Sequence, residues 1–134
     1  MTEYTNVYDI FLSKITDYGL VSLTQNELED NLKKHLKSAI VKFKHCVKDL
    51  NNRDDELGVF NVELTDEEIE VLAYLMIIEW SNNYILNIEL LKQNFSTRDF
   101  NLFSSANLLK ELTNLRKTYK DEIVNLITFY YYTN

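Results

Sequence analysis

The 134-residue chain has no proline, two glycines, one cysteine and two histidines. With only Gly19 and Gly58 and no proline, Pro/Gly-rich linkers and a tight-turned all-β fold find no support. Glycine-rich phosphate loops are excluded on the same ground. Cys46 cannot close an intramolecular disulfide by itself, which points to a reducing compartment. One cysteine and two distant histidines, His35 and His45, cannot complete a structural zinc site. Glu3 follows Met1 and Thr2 without a basic stretch, so no secretory signal is expected. The longest apolar run, 71–78, falls far short of the roughly 20 residues of a membrane span.

Aromatic residues, by contrast, are abundant. Nine tyrosines and seven phenylalanines argue for an ordered chain, and its length suits one domain, 1–134, with a real core. The net charge of −7 is concentrated in 51–68, where seven acids face Arg53 alone. A chain that is acidic there and nearly neutral elsewhere lacks the basic face that grips nucleic-acid phosphates, so no sequence-specific nucleic-acid binding is expected.

The organising stretch is LTDEEIEVLAYLMIIEW, 64–80. Thr65 reads as an N-cap with Glu68 in the box position three residues on, flanked by Leu64 and Ile69 at staple spacing. The run 71–78 is apolar all round, as in a helix buried by neighbours. Ahead of it, Val7, Tyr8, Phe11, Leu12 and Ile15 fall on one face of a helix over 5–17, with Gly19 as its stop. The box signature recurs at Thr24 and Glu27 and opens a second helix. Its apolar stripe continues to Leu50, opposite Lys33, Lys37, Lys44 and Lys48. A third start signature lies at 95–100. The final helix then carries Leu108, Leu112, Leu115, Tyr119, Ile123, Leu126 and Tyr130, whose steps resemble a coiled-coil seam. At Ser81-Asn82-Asn83 the chain is expected to form either one long helix with a kink or two helices with a tight corner.

Two segments break the helical pattern. In 51–64, an acidic loop leads to Phe60, Val62 and Leu64, which alternate with polar residues as in a short strand. Leu50, the 128–134 segment or a neighbouring copy is a candidate to supply its ladder. The end, 128–134, is rich in strand-favouring rings, and it reads as a terminal segment able to extend. The fold expected is therefore all-α: a small bundle of about four to five helices with a short strand or loop insertion and a long C-terminal helix.

Chemistry-bearing constellations are sparse. His35 and His45 lie ten residues apart on one helix and read as surface histidines, and Cys46 reads as a buried small thiol. Asp54, Asp55 and Glu56 could offer oxygen ligands to a hard cation, but the alternating-acid loop pattern is missing, and a solvated loop is the simpler reading. No catalytic residue, cofactor or metal is expected. The lysine stripe reads as a solvent face or as a contact for an acidic surface such as 51–68 of another copy.

In DLNNRDDELGVFNVELTDEEI (49–69), IELLKQ (88–93) and SANLLKEL (105–112), the chain resembles the small helical head–tail connector, or neck adaptor, proteins of tailed bacteriophages. That resemblance implies a non-enzymatic virion protein of the neck, made in the host cytoplasm. It would assemble with its own copies as a ring of twelve beneath the portal protein, give the tail or a second neck protein its docking surface, and use no membrane. Phe60, Val62, Leu64, Phe129, Tyr130, Tyr131 and Tyr132 are the subunit-interface candidates, and Asp54, Asp55 and Glu56 the acidic channel or loop candidates. The alternative is a helical protein–protein interaction module, a regulator or host-factor binder without enzymatic activity.

Overall fold

The computed structural model describes residues 1–17, 29–94 and 102–133. Its elements run β1 (Thr2–Glu3), α1 (Tyr4–Asp17), α2 (Glu29–Lys42), β2 (Arg53–Asp54), β3 (Val59–Phe60), α3 (Asp66–Asn94) and α4 (Leu102–Thr133). Four helices, the last of them long, make the fold mostly helical; two strands of the small sheet lie between α2 and α3, and the third, β1, precedes α1. The start signatures at Thr24 and at 95–100 lie outside the described residues.

The central helix forms where the sequence places its start. The Thr65 N–H donates to Glu68 Oε1 at 2.8 Å and the Glu68 N–H to Thr65 Oγ1 at 3.2 Å, a reciprocal capping box. Within 71–78 every residue but Tyr74 is buried. Helices α1, α2 and α4 all pack on α3. Phe11 of α1 meets Trp80 edge-on at 6.1 Å, and Tyr74 meets Tyr119 of α4 at 4.8 Å. The α4 seam, Leu112, Leu115, Tyr119, Ile123 and Tyr130, is buried within the chain. Its heptad-like spacing therefore serves this core.

Four expectations are settled, three of them as corrections. First, of the two alternatives at Ser81-Asn82-Asn83 the single long helix holds and the two-helix corner does not, since α3 runs unbroken through it. The Ser81 hydroxyl donates back to the Ile78 carbonyl at 2.9 Å, and the Asn82 side chain accepts from Arg116 at 3.0 Å, so both polar groups are satisfied without ending the helix. Second, α2 ends at Lys42 and does not reach Leu50. Tertiary bonds hold the next segment away from helix geometry: the Val47 N–H donates to the Tyr130 hydroxyl at 2.7 Å, and Lys48 Nζ donates to the Glu63 carbonyl at 2.8 Å. Third, the strand at Phe60 takes its ladder from its own chain. The antiparallel sheet has the order β1-β3-β2, with Phe60 opposite Thr2 on one side and Arg53 on the other. Val62 lies beyond the strand, half-buried against the core. Fourth, residues 128–133 are helical. The Thr128 and Thr133 hydroxyls donate to the Val124 and Phe129 carbonyls, which eases β-branched residues into the last turns, and the buried seam carries the helix past its strand-favouring rings.

Candidate interaction surface

Three structural features bear on function: a buried polar latch, a rigid acidic hairpin and an outward aromatic face.

The latch joins the end of α4 to the start of α3. Tyr130, only 1% exposed, donates its phenol to Glu68 Oε2 at 2.7 Å while accepting the Val47 N–H. Glu68 is as deeply buried and also accepts from the Cys46 thiol at 3.5 Å and from Lys48 Nζ at 3.4 Å. Burial pushes the Glu68 carboxyl up, but the Thr65 N–H, the Tyr130 phenol, Lys48 and the Cys46 thiol outweigh it and hold its pKa below the usual carboxylate value. Burial, aided by the bond to Glu68 against the opposing Val47 N–H, raises the phenol well above an ordinary tyrosine. Burial likewise raises the half-buried Cys46 thiol, which fits the structural role its sequence suggests.

The hairpin between β2 and β3 is ordered, with its tip in solvent. Asp54 Oδ1 accepts the N–H groups of Glu56 and Leu57, each at 3.0 Å. Gly58 turns the chain at φ +70°, a conformation that L side chains rarely adopt. Asp55 accepts the Tyr4 phenol at 2.6 Å and the Arg53 Nε at 3.2 Å, and pairs with Lys37 at 3.4 Å. The Tyr4 bond, opposed by desolvation and helped by Arg53 and Lys37, lowers the Asp55 pKa. Asp55 is thus occupied within the fold, and Glu56 faces solvent at the tip. Three lysines of α2 and the segment after it meet acids of their own chain: Lys37 holds Asp55 and Lys48 holds Glu68, both acids within 51–68, and Lys42 holds Glu79.

The interface candidates divide by burial. Phe60, Leu64 and Tyr130 belong to the chain's own core, because the sheet, the cap of α3 and the latch each claim one of them. Phe129 is 68% exposed and Tyr132 87%, and Tyr131 stands between them with one edge against His45 at 5.4 Å. With the exposed Val124, they form an apolar face on the outer side of α4. At about 100° per residue, locking Tyr130 inward fixes the rotation that turns its neighbours out. The sequence missed Glu68 as the partner of Tyr130. A buried box carboxylate leaves no signal beyond the capping motif itself.

His35 departs from its reading as a surface residue. It is buried on α2 beside a cleft of about 410 Å³ that Glu79, Asn83 and Tyr84 also line. Among the described residues, no three His, Cys, Asp or Glu side chains gather as a metal site, and no helix is long and apolar enough to cross a membrane. Comparison with models of protein families, with curated proteins and with solved structures gives no match for this chain.

Proposed function

We propose that the protein is a structural adaptor of a tailed-phage neck, adding as a ring of copies under the portal protein and offering the tail a docking surface. The observation that carries this reading is the pairing of a locked Tyr130 with an outward Phe129 and Tyr132. Exposed rings at a chain end usually fray, whereas here the helix bearing them is pinned to the core by a buried bond. Large apolar side chains held rigidly in solvent suit a contact that buries them on a partner at small ordering cost. The sequence resemblance over 49–69 supports the same reading, since that stretch is a braced unit of sheet, hairpin and helix cap suited to a load-bearing part. Contact surfaces, not a pocket, carry the function.

The test is quantitative co-sedimentation with portal-bearing capsids and with capsids lacking the portal. The adaptor reading expects saturable addition to the first and none to the second. Equal recovery with both, or with neither, sinks it and leaves the interaction-module reading. Phe129→Ser with Tyr132→Ser replaces a deletion of the tail as the interface probe, because deletion would remove the buried Tyr130 as well.

A further inference from the structure

Next to the latch, the end of α2 and the segment 43–50 enclose an open cleft of about 750 Å³. Its lips are apolar and unusually bare: Val41 is 70% exposed and Val47 61%. Lys44, also exposed, falls between them in sequence and lines the same cleft. The cleft's other cations already hold carboxylates of their own chain, Lys37 and Arg53 on Asp55 and Lys48 on Glu68. Lys44 takes part in none of the ion pairs among the described residues. The cleft therefore presents one ammonium without an ion pair beside two exposed valines; its one lining carboxylate, Asp49, accepts the Asn51 N–H at 3.0 Å. The cleft suits a group that places a carboxylate directly beside an aliphatic side chain.

The β2–β3 tip carries that pair. Glu56 is exposed and Leu57, its neighbour, is 74% exposed. The tip is held in shape by the two bonds to Asp54 Oδ1, by the Gly58 N–H on the Asp54 carbonyl at 2.8 Å, and by the Tyr4 N–H on the Gly58 carbonyl at 2.8 Å. A preorganised tip loses little freedom on docking. Within one chain the tip does not fill the cleft, since Leu57 and both valines remain in solvent.

We propose that copies of this chain join by seating the Glu56-Leu57 tip of one in the Val41–Lys44–Val47 cleft of the next. The inference rests on the adaptor reading for its premise that copies adjoin in a ring. Tip and cleft are different surfaces, so the contact is head-to-tail, the kind that closes into a ring when its rotation permits. The carboxylate meets the Lys44 ammonium and fixes the register, while Leu57 covers the two valines and supplies the apolar contact.

The test uses full-length single-cysteine proteins in a Cys46→Ser background, one with Val47→Cys and the other with Leu57→Cys. Each is checked for wild-type helicity, and the two are oxidised mildly at high concentration, singly and mixed. The mixture is expected to give a cross-linked heterodimer several-fold in excess of either self-linked species. Adding Lys44→Glu to the first protein should abolish that excess, and Glu56→Lys in the second should restore it. A mixed yield no higher than the self-linked yields overturns the contact, as does an excess indifferent to both charge changes. Wild-type co-sedimentation with portal-bearing capsids runs alongside. Addition to capsids without cross-linking defeats the tip-in-cleft contact alone, and cross-linking without addition defeats the adaptor reading alone.

Discussion

Tyr130 and Glu68 lie 62 positions apart in sequence and 2.7 Å apart in space, and their bond ties the last turn of α4 to the first turn of α3. One phenol thereby serves three ends: it satisfies a buried carboxylate, accepts the Val47 N–H that bends the chain away from α2, and sets which rings of α4 face out. Removing it should be felt in each.

Tyr130→Phe keeps the ring and its packing on Phe43, 5.4 Å between centroids, and deletes only the hydroxyl. It leaves a buried carboxylate and a backbone N–H each short of a partner, so we expect a loss of about 1–3 kcal/mol in denaturant unfolding. An unchanged midpoint would mean that water or a neighbour replaces the hydroxyl without cost.

The same variant changes the response to acid. Glu68 and Asp55 both have folded pKa values below their unfolded ones, so each contributes stability above the ordinary carboxylate range, about pH 4, that is lost as pH falls through the lower folded value. Tyr130→Phe removes a donor from Glu68, and Tyr4→Phe removes the main one from Asp55. In either variant the carboxylate's contribution should be smaller and its loss complete at higher pH than in the wild type. Superimposable acid limbs in circular dichroism titrations would show that these bonds do not tune the two carboxyls.

Thr65→Ala should cost about 1 kcal/mol by the loss of the cap hydroxyl alone, with no change in association. Leu72→Ala, at a fully buried site on α3, should cost more, about 2–5 kcal/mol, through the cavity it leaves. Urea melts of the two variants rank these effects, and a reversed order would contradict the central placement of α3.

Calorimetric titration of the wild-type protein with Ca²⁺ or Mg²⁺ should give no saturable heat. Asp54 already caps its own turn and Asp55 already holds Tyr4, Arg53 and Lys37, which leaves Glu56 as the one unbound carboxylate of the three at the tip. Micromolar binding would show that the hairpin opens to take an ion.

Much of the fold was legible because it rests on short-range rules. The box at Thr65 and Glu68, the apolar run of 71–78 and the seam from Leu112 to Tyr130 depend on spacing within one helix, and each is found where the spacing puts it. Most of the errors come from contacts between segments distant in sequence. Phe60 looked unpaired because one partner strand, Thr2–Glu3, is far away in sequence, and the other, Arg53–Asp54, is two polar residues without the alternation that marks a strand. The stripe running to Leu50 continued helical spacing past Lys42, where bonds donated by Val47 to Tyr130 and by Lys48 to Glu63 take the chain elsewhere. The rings of 129–132 favoured extension by type, and burial of one of them decided for helix. Among the interface candidates, residue type could not separate the exposed Phe129, Tyr131 and Tyr132 from the buried Tyr130, Phe60 and Leu64; only packing does.

The most direct measurement is averaged electron microscopy of the portal vertex after adding protein to portal-bearing capsids. For the wild type we predict a closed ring of added density beneath the portal. With Phe129→Ser and Tyr132→Ser together, which leave the buried Tyr130 in place, we predict a bare portal from a protein of unchanged helicity. A bare portal with the wild type, or a complete ring with the double variant, would contradict the account.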